Sequence, residues 1–437
     1  MNAPALLARI ADAHARIAPR LAGGPAWARR RRGALERLLS RGLPERRDEN
    51  WKYLDHARLA AYPLDAPAPA GAAPPALPPL PLAGLRRVTL VDGRFDAALS
   101  DPAGDGVQVQ DLGALLARDP GAALALLREP AEDADDRYAL LADAFAVGGA
   151  LIRVAADARP ASPWCLTHLA SAGAPAAHHS RLVIELGARA TLVLIERFAT
   201  AGAAATFGNL AAEVSLGPEA TLVHLRLHGH GPAAAQVETW VVRQAVRSRY
   251  EQSLFATGGA ILRSDLRLAL AGEAAECRLL GLFVADGERQ VDLHTRVTHE
   301  AAATRTEQEC RGIAGDRGRG AFNGRIVVQP AARGADASQS SRNLLLAPLA
   351  EINARPQLEI HVDDVRCRHG ATVGSLDEQQ LFYLQSRGID AAASRALLTF
   401  AFCSDLIARL PVPGLRPTVA AGVAAALPDR ALLTGLA

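Results

Sequence analysis

Residues 185–198, ELGARATLVLIERF, and residues 215–229, SLGPEATLVHLRLHG, are two copies of one unit: a small-residue turn followed by a run that alternates in and out. A weaker echo is LAGEAAECRLLGLF from Leu270, and HEAAATRTEQECRG from His299 opens in the same way before another alternating run. This texture persists from about Ala150 to Gly374, with short strands broken by Gly, Pro and Ala and no helical pattern between them. Long series of short strands point to a solenoid, a barrel or a sandwich. Recurring turn-plus-strand units favour the solenoid, because each unit can bury its inward face only against its neighbours. The irregular period fits a β-helix better than a strict hexapeptide repeat.

Outward from this core the patterning changes at both ends. Residues 1 to about 62 carry apolar side chains at i, i+3 and i+4 spacing with a break at Gly23-Gly24-Pro25, which predicts helices. The segment DAPAPAGAAPPALPPLPLAG, 65–84, reads as a stiff linker near 66–82. RRVTLVDGRFDAAL predicts a hairpin around Asp92-Gly93, and helices are expected over Leu112–Leu127 and Asp136–Phe145. The expected organisation is a helical or mixed domain at 1–148, a β-helix core at 149–374 and a helical domain at 375–437. In the last of these, Ser375 with Glu378 reads as a capping box, Arg387-Gly388 as a stop and Asp390 as a second cap. The second helix places Leu398, Phe402 and Leu406 at four-residue spacing, an apolar stripe expected to be buried in its own domain or under a partner. A short helix is expected over Asp429–Leu433.

Composition narrows the function classes. The 437 residues are 49% hydrophobic and 4% aromatic, and Lys52 is the one lysine among 48 basic residues. A net charge of +2 leaves no excess positive field for phosphates, which argues against a general nucleic-acid binder. No run of 18 apolar residues predicts a membrane span. The five cysteines, Cys165, Cys277, Cys310, Cys367 and Cys403, are odd in number and widely spaced, which favours a reducing cytoplasm over a disulfide framework. The Arg-rich amphipathic start is read as a helix of the mature protein rather than a transit peptide.

Chemistry-bearing residues are few. No GxxxxGK[ST] phosphate loop and no GxSxG elbow occurs. The glycine-rich run GDRGRGAFNG, 315–324, lies among strands and reads as a turn whose glycines take positive φ. His224, Arg226, His228 and His230 share one strand face opposite Val223, Leu225 and Leu227, the pattern of a half-solvated strand. His178, His179, Cys277 and Cys310 have no zinc-site spacing. The sharpest pair is Cys367 and His369: on a strand they share a face, and a thiol beside an imidazole suits a soft metal or sulfur chemistry.

The run NLLLAPLAEINARPQLEIHVDDVRCRHGATVG followed by LDEQQLFYLQSRGI, together with Glu49-Asn50-Trp51-Lys52-Tyr53, resembles the SufB/SufD family, scaffold subunits of the SUF iron–sulfur cluster assembly system, and within it the SufD branch. Family members of the SufB branch have a cysteine where Arg342 stands here, and a glutamate at Gly370. The resemblance implies a right-handed parallel β-helix and a non-catalytic scaffold without a stably bound cofactor. It implies pairing with a SufB-like paralogue through the β-helix and with a SufC-type ABC ATPase through the carboxy-terminal helices, here Leu398, Phe402 and Leu406. His369, with Cys367 beside it, would face a transient cluster shared with the paralogue, and an isolated chain could form a homodimer. A SufB-like cluster builder and a polysaccharide-active β-helix enzyme are the alternatives.

Overall fold

The computed structural model describes residues 3–21, 24–66, 68, 77–128, 136–171, 173–428 and 430–433. Most of the Pro/Ala-rich stretch 67–76 and Asp429 of the expected terminal helix lie outside them. Strand outweighs helix, 41% against 26%, so the chain is mainly β. The first strands are β1 (Arg86–Val91), β2 (Arg94–Phe95) and β3 (Val107–Asp111). The series continues with β4 (Gly149–Val154), β5 (Trp164–Ala170), β6 (Ala176–Leu186), β7 (Thr191–Thr200), β8 (Thr206–Leu216) and β9 (Thr221–His228). It runs on through β10 (Ala235–Gln244), β11 (Arg249–Ala256), β12 (Ile261–Leu270), β13 (Glu276–Ala285) and β14 (Gln290–His299). It ends with β15 (Arg305–Ala314), β16 (Arg319–Val328), β17 (Ala335–Leu345), β18 (Glu351–Ile360) and β19 (Val365–Gly374).

From β4 onward, even-numbered strands pair in parallel in one sheet and odd-numbered strands in the other, making a β-solenoid of about 8 turns. The expected hairpin forms, with Val91 opposite Arg94 and both Asp92 (φ 49°) and Gly93 (φ 79°) left-handed, the backbone a two-residue hairpin turn demands. Its strand β1 also pairs in parallel with β5, so it extends the odd sheet.

The repeat is explained by its corner. Arg189, Glu219, Arg247, Ala274 and Ala303 all take positive φ, 27–30 residues apart, each just before an odd strand. Each lends its N–H to a carbonyl of the next corner, as Arg189 does to Pro218, Glu219 to Val246 and Arg247 to Glu273, in bonds of 2.8–2.9 Å. The corner at 245–248, Ala-Val-Arg-Ser, was not among the repeats visible in sequence. In the run 315–324 the positive φ falls on Asp316 and on none of the four glycines. Space is the constraint instead: a Cβ at Gly318 would collide with the Ala285 carbonyl oxygen, and one at Gly324 would press on the Gln339 amide.

A helical layer covers each sheet. α1 (Ala3–Ile17), α2 (Gly24–Arg41), α3 (His56–Ala60) and α6 (Arg137–Phe145) lie at the even sheet, where Leu6, Ile10, Leu38 and Phe145 share a core with Phe207, Val237 and Ile261. The expected helix over 112–127 is two, α4 (Leu112–Arg118) and α5 (Pro120–Leu126), because Asp119 caps the second through the Ala122 N–H and Pro120 cannot continue the first.

At the carboxy end follow α7 (Glu378–Ser386), α8 (Ala391–Ala408) and α9 (Arg416–Ala426). The α7 cap is Asp377, which accepts from the Gln379 and Gln380 N–H groups, so the Ser375–Glu378 box does not form. By length and composition α8, with mean hydropathy 1.4, is long and apolar enough to cross a membrane. Here it lies along the odd sheet, its Ala396, Cys403, Leu406 and Ile407 packed with Ile195, Leu225, Phe255 and Leu282.

Candidate functional site

Helices lie on both sheets of the solenoid, and its amino end is closed by β3, antiparallel on β4, with α4 and α5 beside it. At the other end nothing among the described residues covers the last turn. β18 and β19 are the last strands of their sheets and present unpaired backbone edges. At this end Ile360 and Val373 are exposed, while Leu358, Val362, Val365 and Cys367 only partly cover the inner core. Such an edge is a template for another chain unless something covers it.

Cys367 and His369 both lie on β19, two residues apart, and so share a face as the spacing predicts. Their environments differ. Cys367 is half-buried against the inner core, and burial pushes its thiol up from the ordinary value, with the Asp336 carboxylate adding to the effect. In the free chain this shift favours the protonated thiol over the thiolate. His369 is exposed, and its register partner on β17 is Gln339. Among the described residues no three His, Cys, Asp or Glu side chains converge to hold a metal ion. This face presents one exposed imidazole.

A second polar centre was misread in sequence. His224, Arg226 and His228 do share one face of β9, but that face is the interior of the solenoid and all three are fully buried. The apolar Val223, Leu225 and Leu227 point outward because the carboxy-terminal helices cover them. Inside, Glu196 accepts from His168 Nε2 (2.7 Å) and Arg226 Nε (2.9 Å), with His224 Nε2 at 3.2 Å. The other end of the Arg226 guanidinium meets Glu238 Oε1 at 2.5 Å, and its plane lies 4.2 Å from the Trp240 ring centroid. Burial raises both carboxyls, but Arg226 and the imidazoles overcome it at Glu196, which falls well below the carboxylate range. Glu238 stays raised. The one Arg226 guanidinium thus lies between the two buried carboxyls. His224, His228 and His230 are lowered by burial and remain neutral.

Glu49-Asn50-Trp51-Lys52-Tyr53 turns out to be a fastener. Trp51 is buried 5.2 Å from the Tyr138 ring, Arg263 lies over it at 4.3 Å and donates to the Asn50 carbonyl, and the Tyr53 carbonyl accepts from Gln290 of β14. Among the carboxy-terminal residues singled out for partner binding, Leu406 is fully buried in its own chain and so cannot meet a partner; Leu398 and Phe402 are half-buried. The most exposed large apolar side chains among the described carboxy-terminal residues are instead Phe382 (72%) and Tyr383 (57%) on α7, a helix with no buried residue. Helical periodicity flagged the stripe that the solenoid already uses and passed over the pair that faces out.

The family model for "SUF system FeS cluster assembly, SufBD core domain" matches residues 168–402, the span from the interior cluster through β19 to α8. The iron–sulfur cluster assembly protein SufD of Escherichia coli is 31% identical over 402 residues, 91% of this chain and 92% of that protein. A SufBD family protein of Synechocystis is 27% identical over 402 residues, covering 89% and 88%. Protein ABCI7, chloroplastic, of Arabidopsis thaliana is 35% identical over 201 residues, 46% of this chain and 42% of that one.

Proposed function

Since the chain belongs to the SufBD family of the SUF iron–sulfur cluster assembly system, and to its SufD type, we propose that it is a non-enzymatic scaffold subunit of a cytoplasmic assembly complex. The observation that carries this reading is the open end of the solenoid, with two unpaired strand edges and His369 beside them. A SufB-like paralogue with the same solenoid would cover those edges and bring the thiolate and carboxylate that Arg342 and Gly370 replace here. His369 would supply one imidazole to the nascent cluster, and Cys367, protonated in the free chain, would line the joint. No cluster stays on this chain alone. A SufC-type ATPase would dock on α7 through Phe382 and Tyr383, and α7 stands one short turn from β19, so motion there reaches the shared end.

Replacing His369 by Ala is expected to leave folding and complex formation intact and to lower cluster yield on the reconstituted complex; undiminished yield overturns the ligand role. Glu at both Phe382 and Tyr383 is expected to abolish co-purification with the ATPase. Retention of the ATPase by that variant would place its contact elsewhere.

A further inference from the structure

The interior column behind His369 is built from amides. Successive odd strands place Gln308, Gln339 and His369 in one register row, on β15, β17 and β19, with Cα atoms about 4.8 Å apart from strand to strand. Gln339 Nε2 donates to Gln308 Oε1 (2.7 Å), and Gln308 Nε2 donates in turn to Thr295 Oγ1 of the opposite sheet (2.8 Å). The chain of bonds therefore has a direction and ends on an acceptor. Gln339 is 97% buried by its 3% exposure, and its Oε1 is a buried oxygen with no hydrogen-bond partner. Leaving such an acceptor empty costs about 1–3 kcal/mol, so its neighbour in the row is under pressure to donate to it. Gly324, opposite, makes room for this amide and holds it in the row.

We propose that Gln339, oriented by Gln308 and Thr295, accepts the ring N–H of His369 and thereby selects its tautomer, leaving the other ring nitrogen bare at the open end for a borderline divalent cation such as ferrous iron. Gln339 is a positioning residue, the counterpart of the carbonyl that a metal-binding histidine ordinarily engages through its second nitrogen. The proposal rests on the reading of His369 as a ligand.

The test uses the full chain with Gln339→Leu, Gln339→Glu and His369→Ala. In the isolated chain, nitrogen-15 NMR of labelled histidine is expected to show one dominant His369 tautomer in the wild type and a mixture in Gln339→Leu. Gln339→Glu, which keeps an acceptor, is expected to retain the single tautomer and to raise the imidazole pKa by about one unit or more. If Gln339→Leu fails to fold, an unshifted titration in Gln339→Glu overturns the proposal by itself. On the reconstituted complex Gln339→Leu is expected to lower cluster yield about tenfold. Lost yield in His369→Ala with full yield in Gln339→Leu overturns the positioning role and leaves the ligand role standing. Full yield in His369→Ala removes the ligand role, and an unchanged tautomer in Gln339→Leu removes the Gln339 bond.

Discussion

His179 and His299, both buried, are each held down to about 4, and burial is the first cause at both. His178 is lowered to about 4 for the same reason. In the unfolded chain each returns to about 6.5. Between these values the unfolded state binds the extra protons, so stability is fully present above about pH 6.5 and falls as pH drops towards 4. Three such groups give a slope of roughly 4 kcal/mol per pH unit at its steepest. Urea denaturation at a series of pH values checks this; a flat profile from 7 to 4.5 would show the imidazoles are not shielded as the fold places them. Asp292 behaves in the opposite range. Burial raises it, but Arg263 at 2.5 Å prevails and holds it at about 2, so its contribution is lost only below about pH 4. Both side chains are buried, and removing one partner of such a pair costs about 3–5 kcal/mol. Asp292→Ala should therefore lose about that much in denaturant unfolding, and a change under about 1 kcal/mol would count against a stabilising role for the pair.

At the scale of elements, the strands were legible because alternation is a local property of the chain. Which face of β9 is the inside was not legible, since a solenoid strand under a helix is apolar outward as well. The turn-plus-strand units at 185 and 215 were visible through their glycines, yet the residues that bend the corners are Arg189 and Glu219. An L-residue held left-handed costs about 1–2 kcal/mol, here offset by the bond each N–H makes to the next corner. Ala303 (φ 56°) is such a site without a side chain to lose. Ala303→Gly should stabilise the fold by about 0.5 kcal/mol, the relief of strain less the greater freedom of glycine in the unfolded chain. Loss of stability in that variant, measured by urea midpoint, would mean the corner carries no strain. The capping signal before α7 was real, but Asp377 lies closer to the helix and wins the N–H groups from Ser375.

At the scale of the whole molecule, one feature separates the ends of the solenoid: the first turns are closed by β3, α4 and α5, and the last turn by nothing among the described residues. An isolated chain is expected to associate with itself through this end when no paralogue is present, and Val373→Asp is expected to shift sedimentation towards the monomer. Unchanged sedimentation would exclude the open end as the contact. The sequence alone determined the β-helix, its helical flanks, the SufD type and the placement of Cys367 and His369 on one strand face, because strand period, turn residues and short motifs are local. Only the tertiary structure decided which polar residues are buried, that Leu406 is spent on the chain's own core while Phe382 and Tyr383 face out, and that Gln339 lies behind His369. Those facts depend on residues about thirty positions apart being brought into register by the winding of the chain, which no single stretch of sequence records.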